Sequence, residues 1–218
     1  MNNFIELSHE IEAGLITYPG LPGPIISDYM SRENSKANYS EGVTFQIGRI
    51  EMIANTGTYL DVPFHRYSDG FDLSELPLKS IANLHGVVVR CTDSNRAITP
   101  ELFRSVDVRG AAILFHTGWD QHWRTPEYGG DNPFLTQESC KRLIDHGAAL
   151  VGTDSCNIDD RKDLSRPAHS SLLKAGIPIV EHLCNLQSLP DAGFRFFAIP
   201  PKIKNFGSFP VRAFALLP

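Results

Sequence analysis

Between Asn55 and His65 the chain reads Asn-Thr-Gly-Thr-Tyr-Leu-Asp-Val-Pro-Phe-His, which gathers amide, hydroxyl, phenol, carboxylate and imidazole groups in one short stretch. Asp61 and His65 stand at i and i+4, and Pro63 between them breaks any helix and holds the turn in one shape. An aspartate and a histidine on such a turn suit two chemistries: oxygen and nitrogen ligation of a metal, or an orienting carboxylate beside a general base. A turn with capping side chains is the plain alternative, and spacing alone does not choose among the three. Downstream, His169 and Glu181 fall at the ends of expected elements. An imidazole and a carboxylate meeting Asp61 would make a set of nitrogen and oxygen donors suited to zinc or manganese. Each taken alone is more often a satisfied core or surface group.

Runs rich in Ile and Val recur with turn signals between them at 47–53, 86–90, 111–116, 149–153 and 177–180, and these read as buried strands. A helix is expected from Thr136, whose Thr-Gln-Glu-Ser opening resembles a start signal, to the His146-Gly147 stop. A second runs from His169 to Lys174. Strands alternating with helices, behind an N-terminal third rich in Pro and Gly, predict an α/β fold: a mixed β-rich core with flanking helices. The loop from Trp119 to Phe134 is long for a compact domain, and such loops tend to cover pockets.

At 218 residues, with 42% apolar and 21% charged side chains, one soluble domain spanning 1–218 is expected, with enough apolar surface for a single core. The net charge of -5 and scattered basic residues exclude a row of phosphate contacts, so nucleic acid is not an expected partner. No window approaches a membrane span, and the opening Met1-Asn2-Asn3-Phe4-Ile5-Glu6 lacks a secretion signal, so a cytoplasmic location is expected. Cys91, Cys140, Cys156 and Cys184 form no C-x-x-C pair and read as reduced, mostly structural residues, with a role at a pocket wall left open for Cys156 and Cys184.

The same stretch resembles the signature H-x-G-T-H-x-D-x-P-x-H of the cyclase family that includes bacterial kynurenine formamidase and isatin hydrolase. It matches at Gly57, Thr58, Asp61, Pro63 and His65, and has Asn55 and Tyr59 where the signature has histidines. The likeness extends over nearly the whole chain, through Ile5–His9, Tyr18–Gly20, Asp72–Pro77, Thr117–Trp119, Gly152–Ser155 and Pro210–Ala213. It implies a swivelling β/β/α-like fold, a homodimer or homotetramer, and hydrolysis of a small, aromatic N-acyl or cyclic amide. It further implies metal ligation by Asp61, His169 and Glu181, with His65 as acid/base. Asn55 is a weak neutral ligand and Tyr59 ligates well only as phenolate, so one weakly held divalent ion, zinc or manganese, is expected in place of two.

Imidazole is the side chain that takes and returns protons near neutral pH, while a divalent ion activates water and polarises a carbonyl. Asn55, Thr58 and Trp119 are candidates for contacts to the substrate or its oxyanion, and Phe64, Trp119, Trp123 and Phe134 for an aromatic pocket wall. Two rival readings stand beside the amidohydrolase: a metal-free cyclase or lyase using Tyr59 and His65 as catalytic pair, and a binding homologue without catalysis.

Overall fold

The computed structural model of the chain describes residues 3–92 and 95–218, so Met1 and Asn2, part of the opening read above, lie outside the described residues. Its frame is one nine-stranded mixed sheet. In spatial order the strands are Phe4–Glu6, Phe214–Leu216, Ala192–Phe197, Leu84–Arg90, Ala111–His116, Leu150–Thr153, Ile179–Glu181, Tyr59–Asp61 and Ser208–Pro210. The four from Leu84–Arg90 to Ile179–Glu181 run parallel, and the flanking pairs are antiparallel. The β-rich core with few helices is thus the observed architecture.

Side-chain alternation divides the apolar residues between the two faces of this sheet. Leu84, Val88, Ala112 and Leu114 join one buried cluster with Leu60, Val180 and Phe196. Val89, Ala111, Ile113 and Phe115 join another, which the helices cover through Cys140, Leu143, Leu172 and Leu173. The helix Gln137–Asp145 is capped by Thr136, whose hydroxyl accepts the Ser139 N–H at 3.2 Å. The helix Pro167–Lys174 starts two residues before the expected His169, because Pro167 occupies its first turn, where a missing N–H costs nothing. Ala168, His169, Leu172 and Leu173 form its buried stripe, so His169 points inward by helical periodicity.

Four of the five expected strands lie in the main sheet. The fifth differs: Ile47–Glu51 pairs only with Ile25–Met30 in a separate ribbon, and every residue of it is exposed. A two-stranded ribbon has no second layer against which to bury its faces. All four cysteines are buried. No described helix is long and apolar enough to cross a membrane.

Candidate active site

Three neighbouring strands and one turn build the site. Tyr59 and Asp61 alternate with the core residue Leu60, so both side chains leave the same face of their short strand. Across the ladders, Glu181 stands opposite Tyr59, and Ser208 stands opposite Asp61 from the other side. The chain then passes Val62 into a single turn, Pro63–His65, which returns His65 over Asp61. His169 arrives from the helix above.

Asp61, His65 and His169 each present a ligating atom within 4.8 Å of the others. The His169 Nε2 lies 3.6 Å from Asp61 Oδ2 and 3.7 Å from Glu181 Oε1. On its far side His169 Nδ1 meets Asp159 Oδ2 at 2.6 Å, and Asp159 also accepts the backbone N–H groups of Ala168 and His169. A carboxylate can only accept, so Nδ1 carries the proton and Nε2 turns towards Asp61 and Glu181. Carboxylate support of this kind orients metal-binding histidines. Burial by itself lowers the His169 pKa, but the charge of Glu181, the bond to Asp159 and nearby Asp61 outweigh it and raise it to about 10. Three carboxylates thus converge on the His169 imidazole and favour a positive charge there.

The Asp61 Oδ2 atom is buried and has no hydrogen-bond partner, a costly condition for a carboxylate oxygen. A cation there would satisfy it. Two atoms each about 2.1 Å from one ion lie about 3 to 3.6 Å apart, and the Asp61–His169 separation fits that spacing. The residues present therefore fit a divalent ion.

Two features set the roles of the remaining groups. Ser208 Oγ donates to Asp61 Oδ1 and lies 2.8 Å from His65 Nδ1. Since the serine proton goes to the carboxylate, the serine oxygen accepts from His65, which fixes the Nδ1–H tautomer and leaves Nε2 as the free base. Tyr59 OH donates to Glu181 Oε2 and lies 2.8 Å from Tyr18 OH, and burial holds its pKa well above the usual phenol value. It is a neutral phenol, not a phenolate ligand. The remaining Glu181 oxygen accepts the Ile158 N–H at 2.7 Å. Glu181 is thus held beside the cluster by a phenol and a backbone donor.

A cavity of about 340 Å³ near Pro63 and one of about 330 Å³ at the site are distinct; the latter is lined by Tyr18, Pro19, Leu21, Asn55, Tyr59, His65, Asn157, Arg161, Arg166 and His169. Several expectations change here. Tyr59 does not pair with His65: no hydrogen bond joins them among the described residues, because Glu181 and Tyr18 take the phenol. The Thr58 hydroxyl donates to the His182 carbonyl at 2.5 Å and accepts the His9 N–H at 3.0 Å, so it braces the strand and is not free for an oxyanion. Trp119 donates its indole N–H to the Tyr128 carbonyl at 3.0 Å and lines no part of this cavity. Trp123 stacks on His9, Phe64 packs on the core, and Phe134 lies under Arg96, so Tyr18, Pro19 and Leu21 form the wall assigned to those aromatics. Ser208 and Asp159 have no place in the signature. Only the fold brings them in.

Comparison with known proteins places these observations. Residues 5–160 match the family model Cyclase. The kynurenine formamidase of Geobacillus thermodenitrificans is 26% identical over 98% of this chain and 97% of its own, and that of Salinibacter ruber is 27% identical over 96% and 95%. Isatin hydrolase A from Labrenzia aggregata superposes with a TM-score of 0.82 at 23% identity, over 98% of this chain and 93% of its own, which shows a common fold.

Proposed function

This chain belongs to the Cyclase family, and from that premise we propose that it is a metal-dependent hydrolase of C–N bonds other than peptide bonds. Its substrate is a small, aromatic N-acyl or cyclic amide. The observation that carries the reading is the buried Asp61 Oδ2, which makes no hydrogen bond and lies 3.6 Å from the Nε2 of His169. These two residues hold a divalent ion, zinc or manganese, with Glu181 as the adjoining carboxylate. When bound, such an ion supplies Lewis acidity and makes water a competent nucleophile near neutral pH.

The chain's own residues supply the proton traffic. His65 Nε2 accepts a proton as water attacks the acyl carbon, while its Nδ1–H stays anchored on Ser208. Breaking the C–N bond needs that proton on the leaving nitrogen, and His65 returns it, so water is added across the bond and the imidazole ends as it began. Asn55, on the cavity wall, offers an amide N–H to the carbonyl oxygen as negative charge develops there. Tyr59 keeps Glu181 oriented and takes no proton from substrate.

The test is turnover of aryl formamides and cyclic aryl amides by the purified protein, with elemental analysis, before and after chelation and resupply of zinc or manganese. Activity that is lost with the metal and returns with it supports the reading. Bound metal with no turnover across the panel would favour a binding homologue, and turnover indifferent to metal would favour the metal-free chemistry.

A further inference from the structure

The cavity that reaches His65 and His169 also holds two guanidinium groups that form no ion pair among the described residues. Arg161 and Arg166 line it together with Tyr18, Asn157 and His65. Neither forms an ion pair among the described residues; the basic partners found nearby involve Arg96 and Lys162 instead. Arg161 donates from Nη1 to the Gly129 carbonyl, and Arg166 from Nη1 to Asn157 Oδ1 at 3.1 Å. A guanidinium has five N–H donors, so most of each fork remains available. Both are half-buried. Asp163 lies near Arg166, but its carboxylate is taken by the backbone and hydroxyl of Ser165.

The position of Arg166 is held by backbone as well as by contacts. It has φ 50° and ψ 60°, a left-handed conformation uncommon for a residue with a side chain, and it directly precedes Pro167. That conformation turns the chain into the helix carrying His169.

Asp61, Asp159 and Glu181 are fully buried and His169 engages Asp159, so the guanidinium donors left over on the cavity wall are open to an anionic group of a bound molecule. The planar fork of arginine matches a carboxylate with two parallel hydrogen bonds, and Tyr18, Pro19 and Leu21 offer a ring and apolar surface across a cavity of small-molecule size. We propose that Arg161 and Arg166 dock a carboxylate of the substrate, so that the site selects amides of aromatic or amino acids in which a carboxylate lies a few bonds from the scissile C–N bond. The substrate class rests on the amide-hydrolase reading above, while the carboxylate site stands on its own.

Two measurements separate these claims. In the first, the purified protein is titrated by calorimetry with benzoate and with uncharged benzyl alcohol. Benzoate binds more tightly, and Arg161→Gln weakens it by roughly tenfold or more, as loss of charged hydrogen bonds implies. Arg166→Gln does the same, with Arg166→Lys as a partial rescue; Arg161→Gln, at a position without a left-handed backbone, guards against a folding artefact, and circular dichroism checks both. In the second, kcat/KM is compared for an N-formyl aryl amine bearing a ring carboxylate and for its methyl ester. The acid is preferred by at least tenfold, and Arg161→Gln erodes that preference through KM. Benzoate binding that is indifferent to both arginines, or an ester cleaved as well as the acid, would overturn the proposal. If neither amide is cleaved yet benzoate binding still depends on the arginines, the amide-hydrolase reading falls and the carboxylate site remains.

Discussion

Ser208 is the hinge of the proton chemistry, since its hydroxyl donates to Asp61 and accepts from His65. Removing it frees the imidazole to rotate and to change tautomer without removing any metal donor. Ser208→Ala should therefore lower kcat by about tenfold, within the range general acid–base groups supply, and leave metal content unchanged. His65→Ala should cut turnover by about a hundredfold or more with metal retained. Loss of metal in His65→Ala, measured by elemental analysis, would make His65 a ligand and remove it from the acid/base role. At this scale the sequence is informative where chemistry is clustered: Asp61, Pro63 and His65 announce themselves by type and spacing. Ser208 lies 147 positions from Asp61, and a lone serine carries no sign of which carboxylate it will meet. Tyr59 is legible as a departure from a signature, but only its burial against Glu181 and Tyr18 shows that it remains a neutral phenol.

At the scale of elements, the strand Ser208–Pro210 must approach the Pro63–His65 turn closely enough for Ser208 to reach His65. Gly207 makes this possible: a Cβ there would lie 2.3 Å from the His65 backbone nitrogen and 2.4 Å from its Cα. Gly207→Ala should push the turn away from Asp61, reducing both melting temperature and kcat, by about 1–3 kcal/mol in stability for an overpacked contact. An unchanged melting temperature and kcat would show that the turn can give way freely. The pairing of Tyr59 with Glu181 leads to a second expectation. Replacing Asn55 and Tyr59 together by His should supply two nitrogen donors and raise divalent-metal affinity, measured by competition with a chelating dye; affinity equal to the parent would mean that the phenol's neighbours no longer admit an ion. The longer parallel strands are legible because they are buried on both faces and read as continuous apolar runs. Tyr59–Asp61, Ile179–Glu181 and Ser208–Pro210 are three residues each, too short for periodicity to register, and these are the strands that carry the site. The exposed Ile47–Glu51 strand shows the converse, since an apolar run fixes strand formation but not which layer covers it.

For the whole molecule, the helices and both core clusters converge on a site whose buried charges make stability depend on pH. His9, stacked on Trp123, is held down to about 4 by burial and by the Arg124 charge, and burial lowers His182 to about 3. In the unfolded chain an imidazole takes its proton near 6.5, so between about 6.5 and these values the unfolded state binds more protons and stability falls as pH drops. Asp154, pushed up by burial to about 7, acts in the opposite sense over part of the same window. The clean readout is thus a difference: His9→Phe keeps a ring on Trp123 and should lose less melting temperature than the parent between pH 7 and pH 5. Equal losses would show that His9 does not remain neutral in the fold. The central claim is that Asp61 and His169 hold a catalytic divalent ion, and the most direct measurement of it is metal bound per chain in the parent and in Asp61→Asn after equilibration with zinc or manganese. The parent should retain one ion, and Asp61→Asn should bind it at least about tenfold more weakly; a parent that retains none, or a variant that matches it, would contradict the claim.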